Sequence, residues 1–330
     1  MRSPLARLPL YMGILLCSPQ WAGAQWVRTG TLGGGWITAL VPSDTNLFAS
    51  TRQGGVFLST NNGAKWAPVN SGLPAKTDIQ CLAVSGGNIF AGTVERGLFV
   101  SRNHGASWTE ADSGLPAGCS VWRLEASGSN LFAVAGGERA IVFRSTDSGA
   151  SWAAAGTGLP RTEVLCLAVS GTNLFAGTAS TSPEKDGGVF QSTDNGASWT
   201  GINSGLPQNT AILRLAVIDT SVFAGTDIGG RVLLLTYNAP SWKNVSAGLP
   251  NYIEFSLSDL AVSGTNLFLG SFRGVYSRAR IDKAWKAINV GLPAGASVYC
   301  LAASGTDLFA GTEEGEVWRL PLSDAMIKKW

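Results

Sequence analysis

Ionisable side chains are scarce in this sequence. Charged residues make up 14% of the 330 positions and there is one histidine, whereas a soluble domain usually has about 25% charged residues. A single histidine argues against a His-rich metal site or a His-based catalytic triad. Long apolar runs are also missing beyond the N-terminal region, so no later segment has the roughly 20 apolar residues of a membrane-spanning helix.

Glycine and tryptophan are abundant instead. The chain contains 42 Gly, 12 Trp and 45% hydrophobic residues, and glycine is normally only ~7% of a protein. This much apolar material excludes a wholly disordered chain, and the glycines lack the G-X-Y period of collagen. The composition is that of a folded protein rich in turns and aromatic residues, for which we expect neither a cofactor nor a bound metal.

The first 24 residues are typical of a secretory signal peptide. Arg2 and Arg7 give a positive start, Leu8 to Cys17 is apolar, and Ala22 to Ala24 supplies the small residues of a cleavage site. The apolar stretch is too short to span a membrane. We therefore expect cleavage after Ala24 and a secreted or periplasmic protein in which residues 25–330 form a single domain.

The predicted mature chain carries no net charge. The signal segment contains two of the 24 basic residues and no acidic one, so the remaining basic residues equal the 22 acidic ones in number. A neutral chain gives no support to nucleic-acid binding, which depends on a basic surface. The partner expected is instead a protein or a glycan, and the mature chain is expected to be a monomer.

Four cysteines remain after cleavage, and disulfides between them would be possible in an exported protein. Three of the four, Cys81, Cys166 and Cys300, occupy the same position of the repeat described next. This favours a small buried residue on an inner strand over a disulfide partner. The fourth is Cys119.

The sequence repeats itself seven times. A phenylalanine recurs every 41 to 48 residues within versions of the phrase L-A-V-S-G-T-N-L-F-A-G-T. The seven positions are Phe48, Phe90, Phe132, Phe175, Phe223, Phe268 and Phe309. Periods of this length indicate an array of supersecondary units.

Each unit is predicted to contain four short strands. In the fourth unit these are Leu-Ala-Val from Leu167, Leu-Phe-Ala-Gly-Thr from Leu174, Gly188 to Ser192, and Ser198 to Ile202. Ser-Gly-Thr-Asn and Asp-Asn-Gly read as hairpin turns, and the proline of Gly-Leu-Pro ends the unit because it has no N–H to donate. Seven such units predict an all-β, seven-bladed β-propeller of four-stranded antiparallel blades.

The two ends of the chain are expected to close the ring. A Trp marks the fourth strand at seven places, and the first of them, Trp26, precedes any complete unit, while the last unit lacks a clear fourth strand. The segment Trp26 to Thr29 should therefore complete the seventh blade in the sheet of Val317, with Trp330 as a rival outer strand. An open solenoid is the alternative, but it would leave sheet edges exposed.

The turn before the Trp carries a recognisable motif that is complete in units three and four. Asn61 and Asn103 replace its Asp in units one and two, unit five lacks its Gly, and unit six keeps only the Trp. Ser192 to Trp199 reads S-T-D-N-G-A-S-W and Ser145 to Trp152 reads S-T-D-S-G-A-S-W. Both resemble the Asp-box (BNR) repeat, S-x-D-x-G-x-[ST]-W, of sialidase-like propellers. Its Asp would accept N–H groups of its own turn, its Gly would supply a positive φ, and its Trp would pack between sheets.

The resemblance implies structural rather than catalytic roles, because in the family this turn faces away from the ligand. The residues assigned to it are Asn61, Asn103, Asp147, Asp194, Trp66, Trp108, Trp152 and Trp199. The lone His104 lies in the second such turn, where a solvated side chain is expected. Asp-box propellers include sialidases, xyloglucan-cleaving glycosidases, sortilin-type receptors and photosystem II assembly factors. The repeat sequence S-G-T-N-L-F-A-G-T also resembles the propeller repeats of exported bacterial proteins.

A binding site is expected on the opposite face of the ring. The Gly-Leu-Pro connectors and the loops between second and third strands meet there, and we call it the connector face. These loops carry irregular charges, among them Glu138 and Arg139. An ordinary solvated rim is the simpler interpretation of such charges.

Three inner strands depart from the repeat. Where other units have Ala39 or a cysteine, units three, five and six have Arg123, Arg214 and Asp259. Charges in so tight a region need partners. Either Arg214 and Asp259 form a structural ion pair between adjacent blades, or the charges form an anion or glycan site. The aromatic neighbours predicted for such a site are Trp122, Tyr252, Phe255 and Tyr299.

An enzyme is the less favoured alternative. A sialidase-like site needs an arginine cluster, a Tyr with a Glu partner and an Asp acid, and the sequence offers only the weak pair Tyr252 and Glu254 without the Arg-Ile-Pro signature. Relatives that cleave xyloglucan use two propellers, and this chain has length for one. The sequence therefore predicts a non-catalytic binding or assembly module, with a glycoside hydrolase as the alternative.

Overall fold

The structure is a computed structural model that describes residues 24–137, 139–179, 187–227, 230–236, 239–250, 257–280 and 282–322. The chain forms seven four-stranded antiparallel sheets, and each inner strand packs against those of the two neighbouring sheets. The predicted seven-bladed β-propeller is confirmed. The described residues contain no helix, and hence none that could cross a membrane. The predicted signal peptide, apart from Ala24, lies outside the described residues.

The blades are numbered along the chain, each from its inner to its outer strand. Blade 1 contains β2 (Ile37–Ser43), β3 (Asn46–Thr51), β4 (Gly55–Ser59) and β5 (Ala67–Pro68). Blade 2 contains β6 (Ile79–Ser85), β7 (Asn88–Thr93), β8 (Leu98–Ser101) and β9 (Thr109–Glu110). Blade 3 contains β10 (Ser120–Ser127), β11 (Asn130–Gly136), β12 (Ala140–Ser145) and β13 (Ala153–Ala154). Blade 4 contains β14 (Val164–Ser170), β15 (Asn173–Thr178), β16 (Val189–Ser192) and β17 (Thr200–Gly201).

The remaining three blades follow the same order. Blade 5 contains β18 (Ile212–Ile218), β19 (Ser221–Thr226), β20 (Val232–Thr236) and β21 (Lys243–Asn244). Blade 6 contains β22 (Leu257–Ser263), β23 (Asn266–Ser271), β24 (Gly274–Ala279) and β25 (Lys286–Ala287). Blade 7 contains β26 (Val298–Ser304), β27 (Asp307–Thr312), β28 (Glu316–Pro321) and, from the other end of the chain, β1 (Val27–Thr31).

The outer strands are shorter than the sequence predicted. In blades 1 to 6 the fourth strand has two residues, so in blade 4 it is Thr200–Gly201 rather than Ser198 to Ile202. Each begins directly after its Trp. The Trp side chain itself turns inward, and Trp108, Trp152 and Trp199 are all buried.

Blade 7 is closed by strands from both ends of the chain, as predicted. Gly30 pairs with Val317. Trp26 lies just before β1 rather than within it, which corrects the predicted strand start by one residue. Its backbone N–H donates to the carbonyl oxygen of Val290 at 2.8 Å, and its indole N–H donates to that of Ile288 at 2.6 Å. Trp330, the predicted rival, lies outside the described residues.

The glycines of the connectors lock adjacent blades together. Gly114 has a φ of 91°, and a Cβ added to it would lie 2.1 Å from the carbonyl oxygen of Trp152 in the next blade. Gly72 stands in the same relation to Trp108, and Gly291 to Trp26, at 2.2 and 2.3 Å. Only glycine allows the next blade's backbone to approach this closely.

In blades 3 and 4 the turn before the Trp has the predicted internal hydrogen bonds. In blade 4, Oδ1 of Asp194 accepts the N–H of Ser198 at 2.9 Å and the hydroxyl of Ser192 at 2.7 Å. Gly196 has a φ of 82°. Asp147 makes the same contacts in blade 3. His104 is exposed in the equivalent turn of blade 2, as expected.

The core lies between the blades. All seven repeat phenylalanines are buried, six of them completely. The four cysteines after Ala24 are buried and free. This agrees with the sequence-based prediction of buried thiols instead of disulfides.

Candidate functional site

Every inner strand contains a β-bulge at the same place. In β2 the register shifts between Ile37 and Ala39, so Thr38 is the extra residue, and the same shift occurs in the other six inner strands. The extra residues are Thr38, Gln80, Trp122, Leu165, Leu213, Ser258 and Tyr299. Bulges redirect side chains and are common beside binding sites. Here they form a ring near the start of the inner strands, at the connector face.

A cavity of about 230 Å³ lies in the central channel beneath this ring. All seven inner strands contribute to its wall. Its ionisable side chains are Arg123, Glu125, Arg214 and Asp259, with the thiols of Cys81, Cys166 and Cys300 and the phenol of Tyr299. The three charges that break the repeat are therefore brought together in one cavity.

Arg214 and Asp259 form an ion pair across two blades. Nε of Arg214 lies 3.8 Å from Oδ1 of Asp259, and each side chain is 26% exposed. The two oxygens of Asp259 also accept backbone N–H groups, from Leu260 at 2.9 Å and Leu301 at 2.8 Å. Burial nevertheless raises the pKa of Asp259, an effect that Arg214 opposes. The contact between these two side chains of adjacent blades is therefore present.

Arg123 has no such partner. Nη1 of Arg123 donates to the carbonyl oxygen of Trp122 at 2.7 Å, and among the described residues no carboxylate lies within ion-pair distance of its guanidinium. Arg214 makes the equivalent bond to Leu213 at 2.7 Å. Both arginines are therefore held by the backbone of their own bulge.

Glu125 lies two residues further along the inner strand of blade 3. Burial raises the pKa of Glu125 to about 7, with a further contribution from the negative charge of Asp259. Burial likewise lowers the pKa of Arg214 to about 10, and the charge of Arg123 adds to this. The channel thus holds like charges that disfavour one another in a poorly solvated space.

The cysteine thiols connect blades around the same channel. Sγ of Cys81 donates to the carbonyl oxygen of Val121 at 3.4 Å, and Sγ of Cys166 donates to that of Ile212 at 3.3 Å. Burial raises the pKa of both thiols to about 12. They therefore remain protonated donors and are poor nucleophiles.

An aromatic cluster borders the mouth of the cavity on the connector face. The rings of Trp36 and Tyr299 stack with centroids 4.9 Å apart, and Phe272 lies 5.3 Å from Tyr299. The guanidinium of Arg52 lies over the Trp36 ring at 5.0 Å and pairs with Asp78 at 3.3 Å. We call these four residues, Trp36, Arg52, Phe272 and Tyr299, the mouth cluster.

The mouth cluster has a firm backbone support. The N–H of Arg52 donates to the carbonyl oxygen of Trp36 at 3.1 Å, and the N–H of Gln53 donates to that of Gly34 at 2.9 Å. These bonds tie the loop before β2 to the loop between β3 and β4. Phe272, in the loop between β23 and β24, is 41% exposed.

The sequence-predicted site residues divide into three groups. Arg123, Arg214, Asp259 and Tyr299 line the cavity. Trp122, at 37% exposed, and Arg139 lie on the surface and do not line it. Glu138, Tyr252 and Phe255 lie outside the described residues.

Sequence reasoning missed Glu125, Trp36 and Phe272 as members of the site. Glu125 breaks the apolar pattern of its strand, which was an available signal. Trp36 lies outside the repeat Trp position, which was another. Nothing in the spacing indicated that Trp36 and Phe272, from blades 1 and 6, would both lie near Tyr299.

In the part of the chain that the structure describes, no group of three or more His, Cys, Asp or Glu side chains is placed to hold a metal ion. The channel offers the N–H donors of Arg123 and Arg214, the carboxylate of Asp259, which is paired with Arg214, and the titratable carboxyl of Glu125. This arrangement suits the binding of a small polar or anionic group.

Comparison with known proteins supports the architecture. A family model described as the DUF6242 beta propeller domain matches residues 37–178. No curated protein matches the chain.

Solved structures with the same fold are numerous and distant in sequence. The extracellular domain of the putative one component system BT4673 from B. thetaiotaomicron aligns with a TM-score of 0.71 and 16% identity, over 89% of this chain and 39% of that one. YCF48 from Cyanidioschyzon merolae aligns with a TM-score of 0.69 and 13% identity, over 90% and 99%. The GH74 xyloglucanase from Xanthomonas campestris aligns with a TM-score of 0.69 and 19% identity, over 91% of this chain and 54% of that one. At these identities the likeness shows the fold alone.

Proposed function

We propose that this propeller is an exported, non-catalytic binding module that holds a protein partner at the mouth of its channel on the connector face. The observation that carries the proposal is the mouth cluster. It combines Trp, Tyr and Arg, the residue types that dominate binding energy at protein interfaces, with an exposed phenylalanine.

The geometry of the cluster favours a peptide over a sugar as its ligand. A sugar ring stacks on a free aromatic face, whereas Trp36 is already stacked with Tyr299 and covered by Arg52. The most exposed aromatic side chain in the cluster is Phe272, which suits an apolar side chain of an extended segment. One of the YCF48 structures with this fold is bound to a D1 peptide, so a propeller of this shape is compatible with such a ligand.

The turns before the tryptophans support kinship with Asp-box propellers. Asp147 and Asp194 use their carboxylates inside their own turns, as that motif requires. Their engagement in local hydrogen bonds leaves them a structural role, and we place the ligand on the other face of the ring.

A glycoside hydrolase is the second candidate, because two carboxyl side chains, Glu125 and Asp259, line the same cavity. Two features oppose it. Both oxygens of Asp259 accept backbone N–H groups, and the cavity of about 230 Å³ is smaller than the roughly 300–1,000 Å³ of typical ligand pockets.

The proposal can be tested with a displayed library of unstructured peptides selected against the immobilised protein. Selected peptides should bind at least about tenfold more weakly to Trp36→Ala and Phe272→Ala, as expected for hot-spot residues. Val27→Ala is the control, since Val27 is 52% exposed on the outer strand of blade 7.

A glycan array and a panel of fluorogenic glycosides complete the experiment. Peptides that bind all three variants equally would place the interface elsewhere and contradict the proposal. Turnover of any glycoside, abolished by Glu125→Gln, would establish the enzymatic alternative instead.

A further inference from the structure

The channel contains more hydrogen-bond donors than the protein satisfies. A guanidinium carries several N–H donors and no acceptor. The hydrogen bonds of the described residues include one from Arg123, to Trp122, and one from Arg214, to Leu213. The remaining N–H groups border the cavity or its wall, where they are open to water or to a bound ligand that can accept them.

The carboxylates of the channel do not supply those acceptors in full. Asp259 has each oxygen bonded to a backbone N–H, and its contact with Arg214 is long, at 3.8 Å. Among the described residues, Glu125 accepts no hydrogen bond, and burial and Asp259 together hold it at the edge of ionisation. Two fixed positive charges therefore face one fully committed negative charge.

The repeat shows that these arginines are not required by the fold. The same position is Ala39 in blade 1 and a cysteine in blades 2, 4 and 7. Burial lowers the pKa of Arg214, and the positive charge of Arg123 lowers it further, so keeping Arg214 charged in the channel costs free energy. A bound anion would remove that cost and satisfy the donors together.

We propose that this part of the channel binds a small monovalent anion, a halide or a short carboxylate, held jointly by the guanidinium groups of Arg123 and Arg214. The site lies below the mouth cluster and does not depend on the protein partner proposed above. The cavity volume of about 230 Å³ fits an anion of this size with its remaining water, and excludes a nucleotide or an oligosaccharide.

Binding should strengthen as the pH falls through about 7. The charged and titratable groups that face the site are Arg123, Glu125, Arg214, Asp259, Tyr299 and the thiols of Cys81, Cys166 and Cys300. The thiols and the phenol have raised pKa values and stay neutral. Protonation of Glu125, with its pKa near 7, removes a negative charge that competes with the anion.

The experiment measures the binding of bromide and of formate. Each anion is added in exchange for a bulky sulfonate anion, so that the ionic strength stays constant. The readouts are the thermal midpoint and the line width of the bromide NMR signal. The protein should show saturable binding at pH 6 that is several-fold weaker at pH 8. Arg123→Ala, which gives blade 3 the residue of blade 1, should bind at least about tenfold more weakly.

Two further variants complete the test. Glu125→Gln should bind at pH 8 nearly as tightly as the unaltered protein does at pH 6. Arg28→Ala is the control, because Arg28 pairs with Glu316 on the outer edge of blade 7, and it should bind normally. Trp36→Ala should also bind the anion normally, which separates this site from the mouth cluster.

Two results would overturn the proposal. One is the absence of a saturable effect of either anion on the unaltered protein at pH 6. The other is equal binding by Arg123→Ala and the unaltered protein, since the effect would then arise from nonspecific salt. If Arg123→Ala does not fold, Arg123→Lys takes its place in the test. Lysine keeps the positive charge but has fewer N–H donors, so this variant should bind the anion with intermediate affinity.

Discussion

At the scale of single residues, the turn before the Trp in blades 1 to 4 shows two different side chains, Asp and Asn, accepting the same backbone hydrogen bond. In blades 3 and 4 an Asp accepts the turn's N–H groups, and in blades 1 and 2 an Asn does so. Oδ1 of Asn61 accepts the N–H of Lys65, and Oδ1 of Asn103 accepts that of Ser107, each at 2.8 Å. The difference is that only the Asp turns respond to acid.

The pH dependence of Asp194 follows from its hydrogen bonds. The side-chain and backbone bonds of Ser198, with that of Ser192, lower the pKa of Asp194 to about 2, and those of Ser151 lower that of Asp147 in the same way. A carboxyl with a depressed folded-state pKa adds stability above its unfolded pKa of about 4, and this is lost as the pH falls through the folded value.

We therefore expect Asp147→Asn with Asp194→Asn to flatten the acid limb of the stability curve. The double variant should melt a little below the unaltered protein at pH 6, and the gap should close as the pH falls from about 4 to 2, where the carboxyls become protonated. Thermal melts across this range check it. A gap independent of pH would contradict the role assigned to the charge.

The local motif was predictable because all its contacts lie within eight consecutive residues. The pairing of Arg214 with Asp259 was predictable for a different reason, because the two residues occupy equivalent positions in adjacent units. The mouth cluster was not predictable in this way. Trp36 lies more than 200 residues before Phe272 and Tyr299 in the sequence. Trp36 and Phe272 lie in loops outside the repeated motif.

At the scale of strands and connectors, the sequence predicted strand order well and strand detail poorly. The alternation of apolar residues in β6 gives no sign that Gln80 is a bulged residue, because a bulge changes register without changing composition. The outer strands were overestimated because Trp and its flanks are strand formers by propensity. Their backbone instead pairs for only two residues before the chain turns into the connector.

The connector glycine is the position at which the backbone of the next blade leaves no room for a side chain. Gly114→Ala should lower the free energy of unfolding by about 3 kcal/mol or more, because it combines a positive φ with a clash against Trp152. Gly87→Ala is the matched control: its φ is 79° and no atom lies within 4 Å of an added Cβ. It should cost about 1–2 kcal/mol.

Chemical denaturation of both variants measures the difference. Equal losses would mean that the conformation of the glycine matters and its contact with the next blade does not. A larger loss for Gly114→Ala would show that the connectors transmit packing from blade to blade.

At the scale of the whole molecule, Trp26 anchors the N-terminal strand at the junction in blade 7, where strands from both ends of the chain meet. Trp26 is buried and bonded through both its N–H groups. Trp66, at the equivalent position of blade 1, is half-buried, and its buried indole N–H has no partner. The two tryptophans therefore form a natural comparison.

Trp26→Ala should destabilise the propeller by roughly 3–5 kcal/mol, as expected for a buried Trp, and Trp66→Ala should cost clearly less. Equilibrium unfolding followed by far-ultraviolet circular dichroism gives both values. A single transition for Trp26→Ala would show that closure stabilises all seven blades. Equal losses for the two variants would contradict the special role of the junction.

Blade 7 also dictates when the protein can finish folding. β1 occupies residues 27–31, and its sheet neighbour among the described residues, β28, occupies residues 316–321. During synthesis from the N-terminus, β1 therefore waits unpaired until residues 316–321 have emerged. Closing the ring joins residues that are 288 apart in sequence, which is a slow step by loop-closure entropy. A protein delivered across a membrane as an unfolded chain would complete this step only on the far side.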